Sequence, residues 1–451
     1  LKTVKILVPS GALGLGYDPV ALARGIALKP DLIAIDGGST DSGPSYLGRG
    51  VSKYARASTK AEWAGLVLAR AKAGCPLVIG TAGTCGTDSM VDWLYDITLE
   101  ILAEHGLFAK IATLKSGQPA ARVQKALAAG KVSALSAAPG ISDAVLASCT
   151  NIVALAGAEQ IAEALKTGAD IIIAGRTTDT AIIAALPIMR GLAAGPAWHG
   201  AKIGECGALC ATNPQSGVIC VDFDNEGFTI TPMADGAHAT PHTVSAHMLY
   251  ENANPFILYE PGGHLDVTNA TYTALDASRV RVTGSKWHVG AHYTVKLEGA
   301  RIAGYQTIIF ALVRDPRYIE NISDWCDDIL AKHRAKACAR LGLAADDFTT
   351  ELRIIGKNAT LGEMETAERS MTEAGILGIV TASDQQTANT IAKLLNPYLL
   401  HHPLTQAEEQ PTFAFPFSPA EIDRGANYAF ALNHVMVLEN PMDAFKLKVH
   451  P

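Results

Sequence analysis

Through its N-terminal part the chain alternates short, mainly apolar runs with stretches carrying an apolar stripe every three to four residues. The runs Val4–Val8, Asp31–Ile35, Leu77–Ile79, Phe108–Leu114, Asn151–Leu155 and Asp170–Ala174 have the near-continuous apolar character of strands covered on both faces. The stretches between them read as helices. Asp18 and Pro19 open one, and Thr59–Ala73 is a second, with Trp63, Leu66, Val67 and Arg70 in sequence. A third is expected to start at Asp88 as its N-cap, with Val91, Leu94, Tyr95, Thr98, Ile101 and Leu102 forming the stripe. A fourth starts at Ala181. Strands alternating with helices predict a parallel sheet with right-handed crossovers, whose ligands bind beyond the carboxyl ends of the strands.

After Pro196 the pattern changes. Ala197–Val221 mixes Gly, Cys and Asn, and beyond it come β-branched runs such as Val280–Thr283, Tyr293–Leu297 and Ile308–Val313. Thr240 and Pro241 are the N-cap and first residue of a helix, while Ile319–Leu341 and Thr381–Leu395 are further helices, the last with Asp384 near its start. The expected fold class is therefore α/β. It comprises an N-terminal parallel-sheet, Rossmann-like three-layer domain over residues 1–199 and a C-terminal α+β domain over 200–451 that completes a cleft.

Every expected strand end carries a polar loop. Together these loops bring to one sheet edge Ser10, Asp36, Ser39, Asp41, Thr81, Gly83, Thr84, Asp88, Lys115, Ser116, Arg176, Thr178 and Asp179. Taken singly, Ser, Thr, Asp and Gly are what any such loop or helix cap uses; their repetition along one edge is what points to a site. The first loop reads G-x-x-G-x-G over Gly11, Gly14 and Gly16, not the dinucleotide pattern G-x-G-x-x-G, so NAD is not expected despite Asp36 at the second strand's end. The loop from Gly80 to Asp88 lacks the G-K-[ST] of a nucleotide-hydrolysing P-loop. In the C-terminal part, His238 and His264 sit in glycine-containing loops and are the candidate general acid or base. His242 and His247 are five apart, the wrong spacing for a helical zinc pair.

Composition narrows the classes. A net charge of −7 without a basic block excludes nucleic acid as the expected partner, and the lack of a long apolar run excludes a membrane span. Eight cysteines without a Cys-x-x-Cys pair, together with the lack of a signal-peptide opening, imply a reduced, cytoplasmic protein. Cys206 and Cys210 read as buried thiols.

The segments GTAGTCGTDSMVDW (80–93), AGRTTDTAIIAALP (174–187), HATPHTVSAHMLYENANPF (238–256), YEPGGHLDV (259–267) and VRVTGSKW (280–287) resemble the acyclic terpene utilisation family named for AtuA, in the same order. Some members of that family are linked to terpene breakdown through acyl-CoA intermediates, and similar proteins are paired with or fused to a small second protein. With no further domain after Pro451, a fused partner is not expected and the resemblance leaves room for a separate small partner subunit, while DGGSTDSGPSYLG (36–48) and SPAEIDRGANYAFALNHV (418–435) look like a branch not obviously concerned with terpenes.

The expected function is that of an enzyme acting on a small carboxylate or its acyl thioester, a lyase of the hydratase/dehydratase kind working as a homo-oligomer. Arg176 would bind the carboxylate, Asp36 with His238 or His264 would move protons, and the Gly83–Asp88 loop would contact the anion. A divalent ion such as Mg2+ has Asp36, Asp41 and Asp88 as candidate ligands. The alternatives are a thioester or amide hydrolase using Ser10, Ser39 or Ser116, and a ligand-binding subunit that needs its partner for activity.

Overall fold

A computed structural model describes residues 2–367 and 370–451. Seven strands precede the middle of the chain: β1 (Val4–Val8), β2 (Leu32–Asp36), β3 (Leu77–Gly80), β4 (Ile111–Lys115), β5 (Val132–Ala134), β6 (Cys149–Ala154) and β7 (Ile171–Ala174). Five of them form the parallel heart of a ten-stranded mixed sheet in the order β1-β2-β3-β7-β4. Strand Ile219–Phe223 continues the sheet antiparallel to β1, and Lys446–His450 continues it antiparallel to β4.

The period-2 alternation of these strands builds two cores. Leu7, Ile33, Ile35, Ile79 and Ile173 point to one face, where helices Pro19–Ala27, Arg56–Ala73 and Asp88–His105 cover them with Leu22, Trp63, Leu66, Val91 and Leu94. Ile6, Leu32, Val78, Ile172 and Ala174 point to the other. There helices Ala158–Lys166, Ala181–Met189 and Ala194–Gly204 supply Ile161, Ile182, Ile183 and Trp198. The three-layer α/β arrangement read from the sequence is the one the chain adopts.

Three features differ from expectation. β6 is not in the parallel sheet; it pairs antiparallel with residues 297–301, because both edges of β4 are taken by β7 and by Lys446–His450. The N-cap before Val91 is Thr87, not Asp88, which is the first helical residue and accepts a hydrogen bond from Gly117 N at 2.9 Å. The compact units are Leu1–Arg301 with Phe430–Pro451, and Ile302–Ala429. The expected boundary at residue 199 instead falls inside helix Ala194–Gly204. That helix is buried on every side, and its Gly200 lies so close to Phe223 that a Cβ would sit 2.4 Å from the ring.

In the second unit, strands Phe348–Ile355 and Ala374–Ala382 pair antiparallel, and the latter pairs with residues 305–313. Helices Ile322–Leu341 and Gln385–His401 provide Trp325, Ile329, Ile391 and Leu395 to its core. Asp384 caps the second of these, accepting from Thr387 N at 2.8 Å. Among the described residues no helix is long and apolar enough to cross a membrane.

Candidate functional site

The loops at the carboxyl ends of β2, β3, β4 and β7 are bonded into one block. Gly37 N donates to Gly80 O at 2.6 Å, Thr84 N to Gly37 O at 3.0 Å and Thr81 N to Gly175 O at 2.7 Å. Ser116 Oγ accepts from Arg176 N at 2.8 Å and donates to Gly86 O at 3.2 Å. At Gly86, φ is +64° and a Cβ would lie 2.3 Å from Arg176 N, so only glycine fits there. Thr81 and Thr84 hold φ of +58° and +73°, a region in which β-branched residues are strained and persist only when their surroundings fix them. The N–H groups of Thr84, Cys85 and Gly86 are all spent on bonds within this block. These three N–H groups thus serve as scaffold, in a loop where the sequence suggested anion contacts from Gly83 to Asp88.

The first glycine-rich loop has an internal partner too. Glu62, from helix Arg56–Ala73, accepts from Gly14 N at 2.9 Å and from Gly16 N at 3.3 Å.

A cavity of about 890 Å³ opens at this edge, wholly within the first unit. Of the residues expected there, Ser10, Asp36, Ser39, Asp41, Thr84 and Asp179 line it. It is completed by Lys53 and Tyr54, by Glu205 and Cys206 at the end of helix Ala194–Gly204, and by Tyr250 and Glu251.

Its carboxylates are unequally partnered, Asp179 having a long 3.8 Å pairing with Arg176 Nη1. Asp36 is buried, and its Oδ1 has no hydrogen-bond partner among the described residues. Burial and then the nearby Asp179 push its pKa well above the carboxylate range, against the opposing pull of Arg176 and the Gly38 N–H. Asp179 is pushed up to about 6 by burial, with Arg176 opposing and Asp41 adding to the shift. Glu205 is buried and raised to about 8, chiefly by burial, although the Lys202 ammonium pairs with it. Behind them His247 is buried and stacked on Tyr250 with 5.4 Å between ring centroids; burial and then Lys202 lower its pKa to about 4.

Arg176 does not line the cavity. Its Nε donates to Glu298 Oε2 at 3.0 Å, and its Nη1 donates to Thr81 Oγ1 at 3.1 Å and Thr177 O at 3.2 Å. Glu298 also accepts from Thr40 Oγ1 and Lys296 Nζ, each at 3.1 Å. Burial raises the Glu298 pKa, but Arg176 and Lys296 outweigh it and hold the group down at about 2. A guanidinium so engaged has little left to offer a substrate carboxylate.

Other expected residues lie elsewhere. Lys115 is paired with Asp92 at 2.6 Å, and Asp88 faces a separate groove with Gly117 and Thr150. Ser116 is buried in the loop block, and Thr178 bonds Thr180 at 3.1 Å. His238 is exposed. His264 stacks on His288, with centroids 4.9 Å apart, in a small antiparallel sheet made of Ile257–Glu260, Gly263–Asp266 and Lys286–Val289. None of these six belongs to the cavity lining. Sequence reasoning missed Lys53, Lys202, Glu205, Cys206 and His247. For Glu205 the one signal was local: an i, i+3 Lys202–Glu205 pair inside an otherwise apolar stretch.

No curated protein and no solved structure matches the chain. The model of the acyclic terpene utilisation family protein AtuA matches residues 54–191 and 213–418. Those segments include Thr84, Asp179, His247 and Tyr250, while Asp36 precedes them and Glu205 and Cys206 fall between them. The match covers well over half of the chain and keeps the motif order read from the sequence, so the chain belongs to the acyclic terpene utilisation family.

Proposed function

We propose that the protein is a hydro-lyase in which Asp36 and Asp179 are the acid and the base. The observation that carries this reading is a pair of carboxylates lining one cavity in unlike surroundings: Asp36, buried with Oδ1 unbonded among the described residues, is raised well above its ordinary pKa, which favours its protonated form, and Asp179, raised to about 6, is ionised above that pH. Titratable groups pushed apart by their surroundings in this way are suited to opposite proton-transfer roles. In an elimination, the Asp179 carboxylate takes the proton beside the substrate carbonyl. The C–O bond to the β-hydroxyl then breaks, the carbon–carbon double bond forms, and Asp36 gives its proton to the leaving hydroxyl, which departs as water. Asp36 is left ionised and Asp179 protonated, and the proton returns between them through the water of the cavity.

The substrate class that fits is a small hydroxy carboxylate or its acyl thioester. Its negative end is assigned to Lys53, the cation of the cavity wall, in place of Arg176. A protonated Asp36 reduces the negative charge that such a substrate meets. The test is ultraviolet absorbance of the conjugated product, with the purified chain and a panel of hydroxy acids and their thioesters. Turnover is expected from the wild-type chain and a loss of about a hundredfold or more in Asp36→Asn and in Asp179→Asn. Equal turnover in both variants would sink the assignment.

A further inference from the structure

Helix Ala194–Gly204 delivers Glu205 and Cys206 at its carboxyl end, and the turn His247–Leu249 places His247 beside them. A carboxylate oxygen of Glu205, Sγ of Cys206 and a ring nitrogen of His247 lie within 4.8 Å of one another. His247 is 4% exposed, and its Nε2 has no hydrogen-bond partner among the described residues. A buried ring nitrogen in that state has lost its water and recovered no bond, so it calls for an explanation. The Lys202 ammonium, which pairs with Glu205 through Oε1, leaves Oε2 outside that pair and fixes the carboxylate's orientation.

We propose that Glu205, Cys206 and His247 bind a transition metal ion of the zinc class. One oxygen, one sulfur and one imidazole nitrogen form a mixed donor set that suits Zn2+ or Co2+; Mg2+ favours oxygen alone. Ligand atoms around a tetrahedral ion lie roughly 3.3–3.7 Å apart, given metal bonds of about 2.0–2.3 Å. Separations within 4.8 Å therefore leave only a small inward adjustment of the three side chains to reach that geometry. As the metal–sulfur bond forms, the Cys206 thiol releases its proton to solvent. Glu205 and Cys206 also line the cavity, so a fourth coordination position would face its contents, as in catalytic rather than structural zinc sites. This donor set is separate from the oxygen-only candidates Asp36, Asp41 and Asp88, and it stands whether or not Asp36 and Asp179 perform an elimination.

The test is a Co2+ titration of the full chain after dialysis against a chelator, read by absorption with no substrate present. One ion per chain is expected to bind, with a near-ultraviolet thiolate-to-cobalt charge-transfer band. Cys206→Ser is expected to abolish the band. His247→Gln should weaken binding by more than about tenfold, a loss that even residues orienting a ligand can cause. Cys338→Ser, a half-buried cysteine of the other unit, is the control and should leave band and affinity unchanged. A wild-type chain that shows no band in excess Co2+, or a band that persists in Cys206→Ser, overturns the proposal. If His247→Gln does not fold, the near-isosteric Cys206→Ser decides alone.

Discussion

Two groups of buried charge sit behind the same row of loops and have been treated in opposite ways. Around Arg176, every charge has an answer: Glu298 takes the guanidinium and Lys296, and Thr40 and Thr81 complete the bonds. Around Asp36 and Asp179 the answers are incomplete: among the described residues one oxygen of Asp36 is unbonded, Asp179 has only a long 3.8 Å pairing with Arg176 Nη1, and both carboxyls are raised in pKa. Burial is common to both groups, so burial alone does not mark a site. What separates them is whether the desolvated charge has been met inside the protein. A satisfied pair holds the fold together, whereas an unsatisfied one is stabilised by something that comes and goes, such as a proton or a ligand.

The contrast can be broken at five points. The largest effect is expected from Glu298→Ala, which strands a buried guanidinium; it should cost about 3–5 kcal/mol of stability in a denaturant titration. Asp36→Asn should do the reverse, lowering turnover by about a hundredfold while leaving the denaturation midpoint unchanged or higher, since it removes a buried carboxyl of which one oxygen has no partner among the described residues.

Asp179 makes the third point, through pH. It faces Arg176 and Lys202 as cations and Asp36, Asp41, Glu205 and Glu251 as acids. Its pKa is near 3.8 when unfolded and about 6 when folded, so between about pH 4 and pH 6 the folded chain binds the extra proton. Stability should therefore fall as pH rises through that window, by about 1–2 kcal/mol in all, the half-buried side chain being partly screened by solvent. Turnover should rise over the same window as the base ionises. Asp179→Asn should abolish the stability slope, and parallel melts across pH with both chains would show it. The smallest effect belongs to Lys115→Ala, which breaks an exposed pair with Asp92; less than about 1 kcal/mol should be lost, with turnover intact. His264→Ala should likewise leave turnover intact. If either variant lowered turnover as far as Asp36→Asn does, the distinction between cavity and periphery would collapse.

What the sequence disclosed was local. The apolar runs of β1, β2, β3 and β7, the cap at Thr240, the helix starts near Asp18 and Asp384, and the polar residues at strand ends depend on near neighbours, and all are found in the structure. Ser10, Asp36, Ser39, Asp41, Thr84 and Asp179 were legible because a residue's place at a strand's end largely decides which edge it occupies. Partnership was not legible. Nothing near Arg176 announces Glu298, 122 positions on, and nothing in the loops of His238 or His264 reveals that they lie away from the cavity. The insertion of β7 between β3 and β4 is likewise a long-range outcome. The unit boundary was missed for a related reason: it cuts through two uninterrupted strands, Tyr293–Val313 and Glu421–Leu438, where no change of composition marks it.

Glu62 sets a threshold for the first loop. Its carboxylate occupies the backbone donors of Gly14 and Gly16, where this kind of sheet commonly receives a diffusible phosphate. A free anion must compete with a ligand tethered to the same chain, whose effective concentration never dilutes. The loop therefore behaves as a receptor sold with its agonist already attached, and Glu62→Ala is the change that would vacate it.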